Sequence, residues 1–353
     1  MRTALAIENP HLAVTFIPLG CSGATINAGF LNNQRARECP SPGTSAVCSG
    51  TVRGQIAELT ELLAAARRRQ ADRSLDLVLL TIGANDIFFS GLIANVMIEP
   101  GTERNLLHRH GIIASVEDAQ KVLDRELPGN FAKARAALKP LVGGDLSRVI
   151  YVSYGNPALA GPNTPCAGGR DGFDVHPAFA ADGERLRQAV NFVSQKFLPG
   201  MRALARCEEG CRDPSAARMS FVDAHQASFA SHVACARAAD DPTFDRECFS
   251  GKGETFESSL TKAATDPMTC GYPASEFRPY ASRARWIRTA NDSYFTAMTY
   301  PEGLPSAAPP RAAPAIIDNT TVYRVFMIAL PITANTNVRG APEPCSVGPG
   351  YAI

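Results

Sequence analysis

Short apolar runs alternate along the chain with segments whose apolar residues recur at helical spacing. The runs are rich in β-branched and aromatic residues, which is typical of β-strands. They cover residues 12–19, 75–82, 148–154 and 218–223. The run 75–82 is almost continuously apolar, so we expect a strand buried on both faces of a parallel sheet.

Three stretches between these runs carry the helical pattern. Apolar residues from Ile56 to Ala66 predict a helix, and the basic run Arg67–Arg69 after it suits the solvated end of that helix. Residues 132–141 also read as helical, and Leu186, Val190, Val193 and Phe197 form one stripe. Alternating strands and helices predict an α/β fold: a parallel sheet with helices on both faces.

The 353 residues fit one large domain and a tail. We assign residues 1–305 to the domain, with an irregular, polar insertion at about 235–285. An Ala/Pro-rich linker begins at Ser306, and the rest of 306–353 is left unassigned.

Composition excludes several classes of protein. Hydrophobic residues make up 45% of the chain and charged residues 20%, as in ordinary globular domains. The net charge of +1 offers no basic excess for nucleic acid, so we expect none as a partner. No apolar run approaches the ~20 residues of a transmembrane helix; the longest candidate, Val325–Ile332, is short and contains Pro331.

The ten cysteines favour disulfides in an oxidising compartment. Two alternatives remain open: Cys207 and Cys211 as zinc ligands, although no second pair matches them, or a set of buried free thiols. Met1–Glu8 is not a signal peptide, because its apolar stretch is short and ends at Glu8. We expect an extracellular or periplasmic protein whose chain carries no signal peptide here.

Two loops at strand ends are the candidates for chemistry, because ligands of doubly wound sheets bind beyond the carboxyl ends of the strands. Gly20–Thr25 follows the first predicted strand, and Gly83–Asp86 follows the run 75–82. Other roles are open for the same residues: Gly23 could simply turn the chain, and Asn85 could cap the segment after it.

These loops carry a family resemblance. Ile82–Asp86 matches the Gly-x-Asn-Asp block of the SGNH (GDSL-type) hydrolases, and Leu19–Thr25 resembles the glycine block of their secreted bacterial lipase and esterase branch. Phe229–Cys235 resembles that branch's Phe-x-Gly-His-x-x-Cys segment, and Arg285–Ile287 is also similar. The resemblance covers roughly residues 4–305.

The resemblance implies a flavodoxin-like three-layer sandwich and ester hydrolysis through an acyl-serine, with neither a metal nor an organic cofactor. Carried onto this chain, it makes the Gly23 N–H and the Asn85 carboxamide the oxyanion donors. Glycine lets its N–H approach a substrate closely, and an amide donates without changing charge. Asp86 is expected to fix its loop by hydrogen bonds.

Two family blocks are not found. No Gly-Asp-Ser precedes Gly23, so the first strand and its nucleophile are missing, and no Asp-x-x-His follows Asp292. We hypothesise a late start at Met1 and an altered reading frame after about Ser306.

Substitutes for the missing serine and histidine are few. Ser22 has no identifiable base, and the nucleophile stays unidentified. His232 is the remaining base candidate, although a structural role is the simpler reading. His11, His108, His110, His176 and His225 offer no clear alternative.

The sequence therefore predicts an SGNH-type hydrolase of small-molecule, lipid or carbohydrate esters, with weak or no activity as this chain stands. The alternative is a non-catalytic extracellular module that binds carbohydrate or lipid on a degenerate hydrolase scaffold. A nucleotide-binding domain is disfavoured, because the loops lack Gly-x-Gly-x-x-Gly and the P-loop lysine.

Overall fold

The structure is a computed structural model. It describes residues 15–21, 23–35, 50–97, 113–161, 163–168, 181–208, 210–211, 214–236 and 285–287. Its strands are β1 (Gln34–Arg35), β2 (Thr51–Val52), β3 (Val78–Leu80), β4 (Val149–Val152), β5 (Leu159–Gly161), β6 (Thr164–Pro165) and β7 (Ser220–Val222). Its α-helices are α1 (Gln55–Arg67), α2 (Phe89–Met97), α3 (Val116–Arg125), α4 (Leu127–Leu138), α5 (Gly183–Phe192), α6 (Leu198–Arg206), α7 (Pro214–Ala217) and α8 (His225–Phe229). Short 3₁₀ segments span Leu146–Arg148 and Ala230–His232, and a π-helical segment spans Val193–Phe197.

A parallel sheet of three strands, in the order β3–β4–β7, is the centre of the fold. Leu80, Tyr151 and Phe221 lie side by side across it. The mixed α/β class, the parallel sheet and three of the four predicted strands are thus confirmed.

The predicted strand 12–19 is wrong where the structure describes it. Residues 15–19 form no strand, and the side chain of Phe16 is 52% exposed. An apolar, β-branched run specifies a strand only when a neighbouring strand accepts its ladder hydrogen bonds, and no described strand pairs with this one. Residues 12–14 lie outside the described part.

The two faces of the sheet differ in burial. Leu80 and Tyr151 are buried in the main core, which also takes in side chains from α3, α4 and α6. On the opposite face Leu77, Leu79 and Val222 are exposed, with Leu79 at 42%. The prediction that residues 75–82 are buried on both faces is therefore wrong at Leu77 and Leu79, because no described helix covers these positions.

A long helical stretch from α5 through the π-helical segment to α6 packs on the buried face. The predicted stripe at Leu186, Val190, Val193 and Phe197 is buried, as expected. Within the segment the Leu198 N–H donates to the Val193 carbonyl, one residue beyond the α-helical partner. Pro199 explains the widening, because it lacks an N–H and its ring crowds the carbonyl four residues earlier.

Two disulfides link described cysteines, Cys166–Cys235 and Cys207–Cys211, with Cα–Cα distances of 5.8 and 5.9 Å. Cys21 is also disulfide-bonded. The disulfide prediction is confirmed for these five residues, and the zinc and free-thiol alternatives are wrong for them. In the same part of the chain no group of three His, Cys, Asp or Glu side chains could hold a metal ion.

Several sequence predictions fall outside the described residues. These are the other five cysteines, most of the insertion 235–285 and the tail 306–353. Among the helices that are described, none is long and apolar enough to cross a membrane.

Candidate functional site

The loop after β3 is held tightly against the core. Gly83 has φ of +116°, a conformation that L side chains rarely adopt. A Cβ placed on it would lie 2.5 Å from the Cε of Met201. The turn therefore requires glycine, and it directs the following residues, Ala84 to Asp86, across the carboxyl end of the sheet before α2 begins.

Asn85 joins this loop to the one that contains Gly23. Its Nδ2 donates to the carbonyl oxygen of Ala24 at 2.9 Å, across 61 positions of sequence. Gly23, the residue before Ala24, adopts φ of +69° in a turn. The structure thus brings together the two loops in which sequence analysis placed the oxyanion donors.

Each of the two candidate donors keeps a proton available. A carboxamide nitrogen carries two hydrogens, and the bond to Ala24 engages one of those on Asn85. The Gly23 N–H donates to no residue that the structure describes. The capping alternative for Asn85 is wrong, since its side chain is directed to Ala24, whereas Gly23 does turn the chain.

The buried Asp86 carboxylate also links the two loops by hydrogen bonds. The Ile26 N–H donates to both of its carboxylate oxygens, at 3.1 and 3.2 Å, as the loop-fixing prediction requires. The residue is only 8% exposed. Burial, helped by the negative charge of Glu126 and opposed by the Ile26 hydrogen bond, raises the pKa of Asp86 to about 6.

Two residues that the sequence analysis did not identify extend the site along the sheet. The Ala84 N–H donates to the Tyr154 hydroxyl at 3.3 Å, and burial keeps the pKa of that phenol above its ordinary value. Gln226 Nε2 donates to the Ser153 hydroxyl at 2.8 Å and to the Tyr154 carbonyl at 3.0 Å. Tyr154 is the last residue of the predicted strand 148–154 and Gln226 follows the predicted strand 218–223, so the strand-end rule could have found both.

The base candidate His232 is engaged elsewhere. Its ring stacks on Trp286 with centroids 4.0 Å apart and planes 7° apart. The Trp286 N–H donates to the His232 carbonyl at 3.0 Å. These contacts relate His232 to Trp286 and not to Gly23 and Asn85.

The remaining candidate residues contribute little. His225 begins α8, and its buried Nε2 has no hydrogen-bond partner among the described residues. Ser22 and the other four histidines lie outside the described residues.

No protein-family model, curated protein or solved structure matches this chain. Any assignment of function therefore rests on the geometry of the paired loops and on the motifs they contain.

Proposed function

We propose that the chain is a serine ester hydrolase of the SGNH type, with the flavodoxin-like three-layer sandwich of that family. The observation that carries the proposal is the 2.9 Å hydrogen bond from Asn85 to Ala24. It brings the Asn85 carboxamide beside the turn at Gly23, at the edge of the sheet where ligands of such folds bind.

The chemistry follows from where charge develops. When a nucleophile attacks an ester carbonyl, negative charge builds on the carbonyl oxygen, and preorganised neutral donors stabilise it. The Gly23 N–H and the second Asn85 N–H would supply these donors. Asp86 and the Ala24 carbonyl hold them in place, so little reorganisation accompanies the reaction.

The nucleophilic half of the site is not identified. His232 stacks on Trp286, and Ser22 lies outside the described residues. We therefore expect little or no turnover from this chain alone, since the loss of any triad residue lowers the catalytic rate severely.

The convergence of the donors can be tested without turnover. Dimethylphosphinate, a small tetrahedral monoanion, would be titrated into ¹⁵N-labelled protein. The Gly23 amide and the Asn85 side-chain signals should shift along one binding curve. Asn32 is the matched control, because its Nδ2 also donates to a backbone carbonyl, that of Asn27, at 2.9 Å. Separate curves for Gly23 and Asn85, or an equal shift at Asn32, would contradict the proposal.

Turnover itself is measured with p-nitrophenyl acetate and a fluorophosphonate probe. We expect no labelled serine and at most slow hydrolysis. Any hydrolysis above background should fall by about 10²–10³ in Asn85→Ala, the usual loss for one oxyanion donor, and stay unchanged in Asn32→Ala. Robust hydrolysis that is lost in Asn85→Ala would show that the expectation of weak activity is wrong.

A second candidate function is a non-catalytic extracellular binding module. The engagement of His232 with Trp286 favours it, because a working base should face the nucleophile. The two disulfides suit an extracellular protein. Cooperative unfolding with stabilisation by a ligand, but without hydrolysis, would distinguish this function from the first.

A further inference from the structure

A groove of about 400 Å³ lies beside β7, at the opposite edge of the sheet from β3 and the Asn85 loop. It opens beyond β7, between that strand and the helical stretch that contains the π-helical segment. Its volume is in the range of small-molecule sites. Since β4 lies between β3 and β7, about 10 Å of sheet separates it from the Asn85 loop.

The lining of the groove offers both donors and acceptors. Arg202 Nη2 lies 3.7 Å from Asp223 Oδ2, and both side chains are about half exposed. Glu208 adds a carboxylate with no ion pair to any described residue. Gln226 uses both Nε2 hydrogens on Ser153 and Tyr154, so its Oε1 is left as an acceptor.

Apolar side chains also line the groove. Phe221 stacks on Tyr151 with centroids 5.8 Å apart and planes 3° apart, and the Arg202 guanidinium lies 5.7 Å from its ring centroid. Leu198 and Pro199, on the same helix as Arg202, complete the apolar lining. Side chains held in this way lose little freedom when a ligand binds.

The π-helical segment adds a hydroxyl to the groove. Ser194 Oγ accepts from Asn156 Nδ2 at 2.8 Å, and Asn156 is itself buried. The hydroxyl proton of Ser194 makes no hydrogen bond to a described residue, so Ser194 can donate it to a ligand.

The balance of charges limits the ligand class. The Arg206 guanidinium lies 5.9 Å from the same Phe221 ring centroid, so two guanidinium groups balance the two carboxylates. This balance disfavours an anion, because no positive excess would compensate for its desolvation. An acyl chain is disfavoured too, since it would strip water from Arg202 and Asp223. A neutral ring with several hydroxyls fits: carboxylates, a guanidinium and an amide oxygen bind the hydroxyls, and the C–H groups pack on Leu198 and Pro199.

We propose that this groove binds a sugar ring of a glycan. The proposal does not require ester hydrolysis. It also gives the binding-module function a specific ligand class.

To test this, unlabelled xylobiose, cellobiose, maltose and chitobiose are each titrated into the full chain. Saturation-transfer NMR and calorimetry measure their binding. At least one should bind saturably. Arg202→Ala should weaken it by about tenfold or more, as expected for removing a charged hydrogen-bond partner. Arg187→Ala is the matched control, because Arg187 also forms an exposed ion pair on the same helical stretch, with Glu184 at 2.6 Å. Circular dichroism would verify that both variants fold.

Four outcomes would overturn the proposal. They are saturation by none of the four disaccharides, equal weakening in the two arginine variants, tighter binding of inorganic phosphate or ethylamine in the same groove, and loss of sugar binding in Asn85→Ala. Sugar binding that survives Asn85→Ala, in a protein whose Gly23 and Asn85 signals fail to titrate together, would support the groove while refuting the hydrolase.

Discussion

Stability should depend on pH through Asp86. The folded protein holds this pKa at about 6, against 3.8 for the exposed carboxyl. Folding therefore favours the protonated form. The contribution of Asp86 to the free energy of unfolding should be largest below about pH 4, fall as pH rises to about 6, and level off above that value.

The size of the effect follows from the shift. A difference of about two pKa units corresponds to about 3 kcal/mol between the two plateaus. Asp86→Asn removes the titration and keeps an oxygen that can accept from Ile26. The variant should lose this part of the pH dependence, whatever its stability at any one pH.

The pH dependence of the free energy of unfolding is measured by urea unfolding from pH 3.5 to 8, with the disulfides oxidised. Circular dichroism follows the transition. The quantity of interest is the wild-type free energy minus that of Asp86→Asn, which should fall steadily between pH 4 and 6. Asp145→Asn is the control: hydrogen bonds from Ser147 lower the pKa of that exposed carboxyl, so it cannot produce the same slope. A difference that stays flat between pH 4 and 6 would refute the reasoning.

Two further predictions concern the scaffold. Gly83→Ala should destabilise by about 1–3 kcal/mol, because it adds a Cβ at positive φ against the core; Gly20→Ala, which meets nothing within 4 Å, should change the urea midpoint little. Replacing the Cys166–Cys235 pair by alanines should cost about 4 kcal/mol and the Cys207–Cys211 pair about 2, because the separations they close are 69 and 4 residues. Equal urea midpoints for the two double variants would contradict the loop-length argument.

The correctly predicted strands are those in which an apolar, β-branched run also has a neighbouring strand to pair with. Val149–Val152 has a strand on each side and Ser220–Val222 packs beside it, so pattern alone placed both. The run 12–19 has the same local signal, but ladder partners set whether such a run becomes a strand. Burial on both faces could not be predicted at Leu79, because burial depends on what lies over the sheet.

The candidate site could be predicted from the sequence only in part. Sequence analysis placed Gly23 and Asn85 together because each follows an apolar run with the pattern of a strand. The run before Asn85 does contain β3, whereas residues 15–19 before Gly23 form no strand. Tyr154 also follows a strand, but nothing local indicates that its hydroxyl reaches the Ala84 N–H. The stacking of His232 on Trp286 joins positions 54 apart, a distance that no periodicity encodes.

The Cys166–Cys235 bond has a practical consequence for anyone producing this protein. It ties the short strands near Ala158 to the segment that carries His232, where the Ala234 N–H also donates to the Pro157 carbonyl at 2.8 Å. Expression in a reducing cytosol would yield chains without the Cys166–Cys235 disulfide. Periplasmic export, or refolding with a glutathione couple, is the route to the architecture described above.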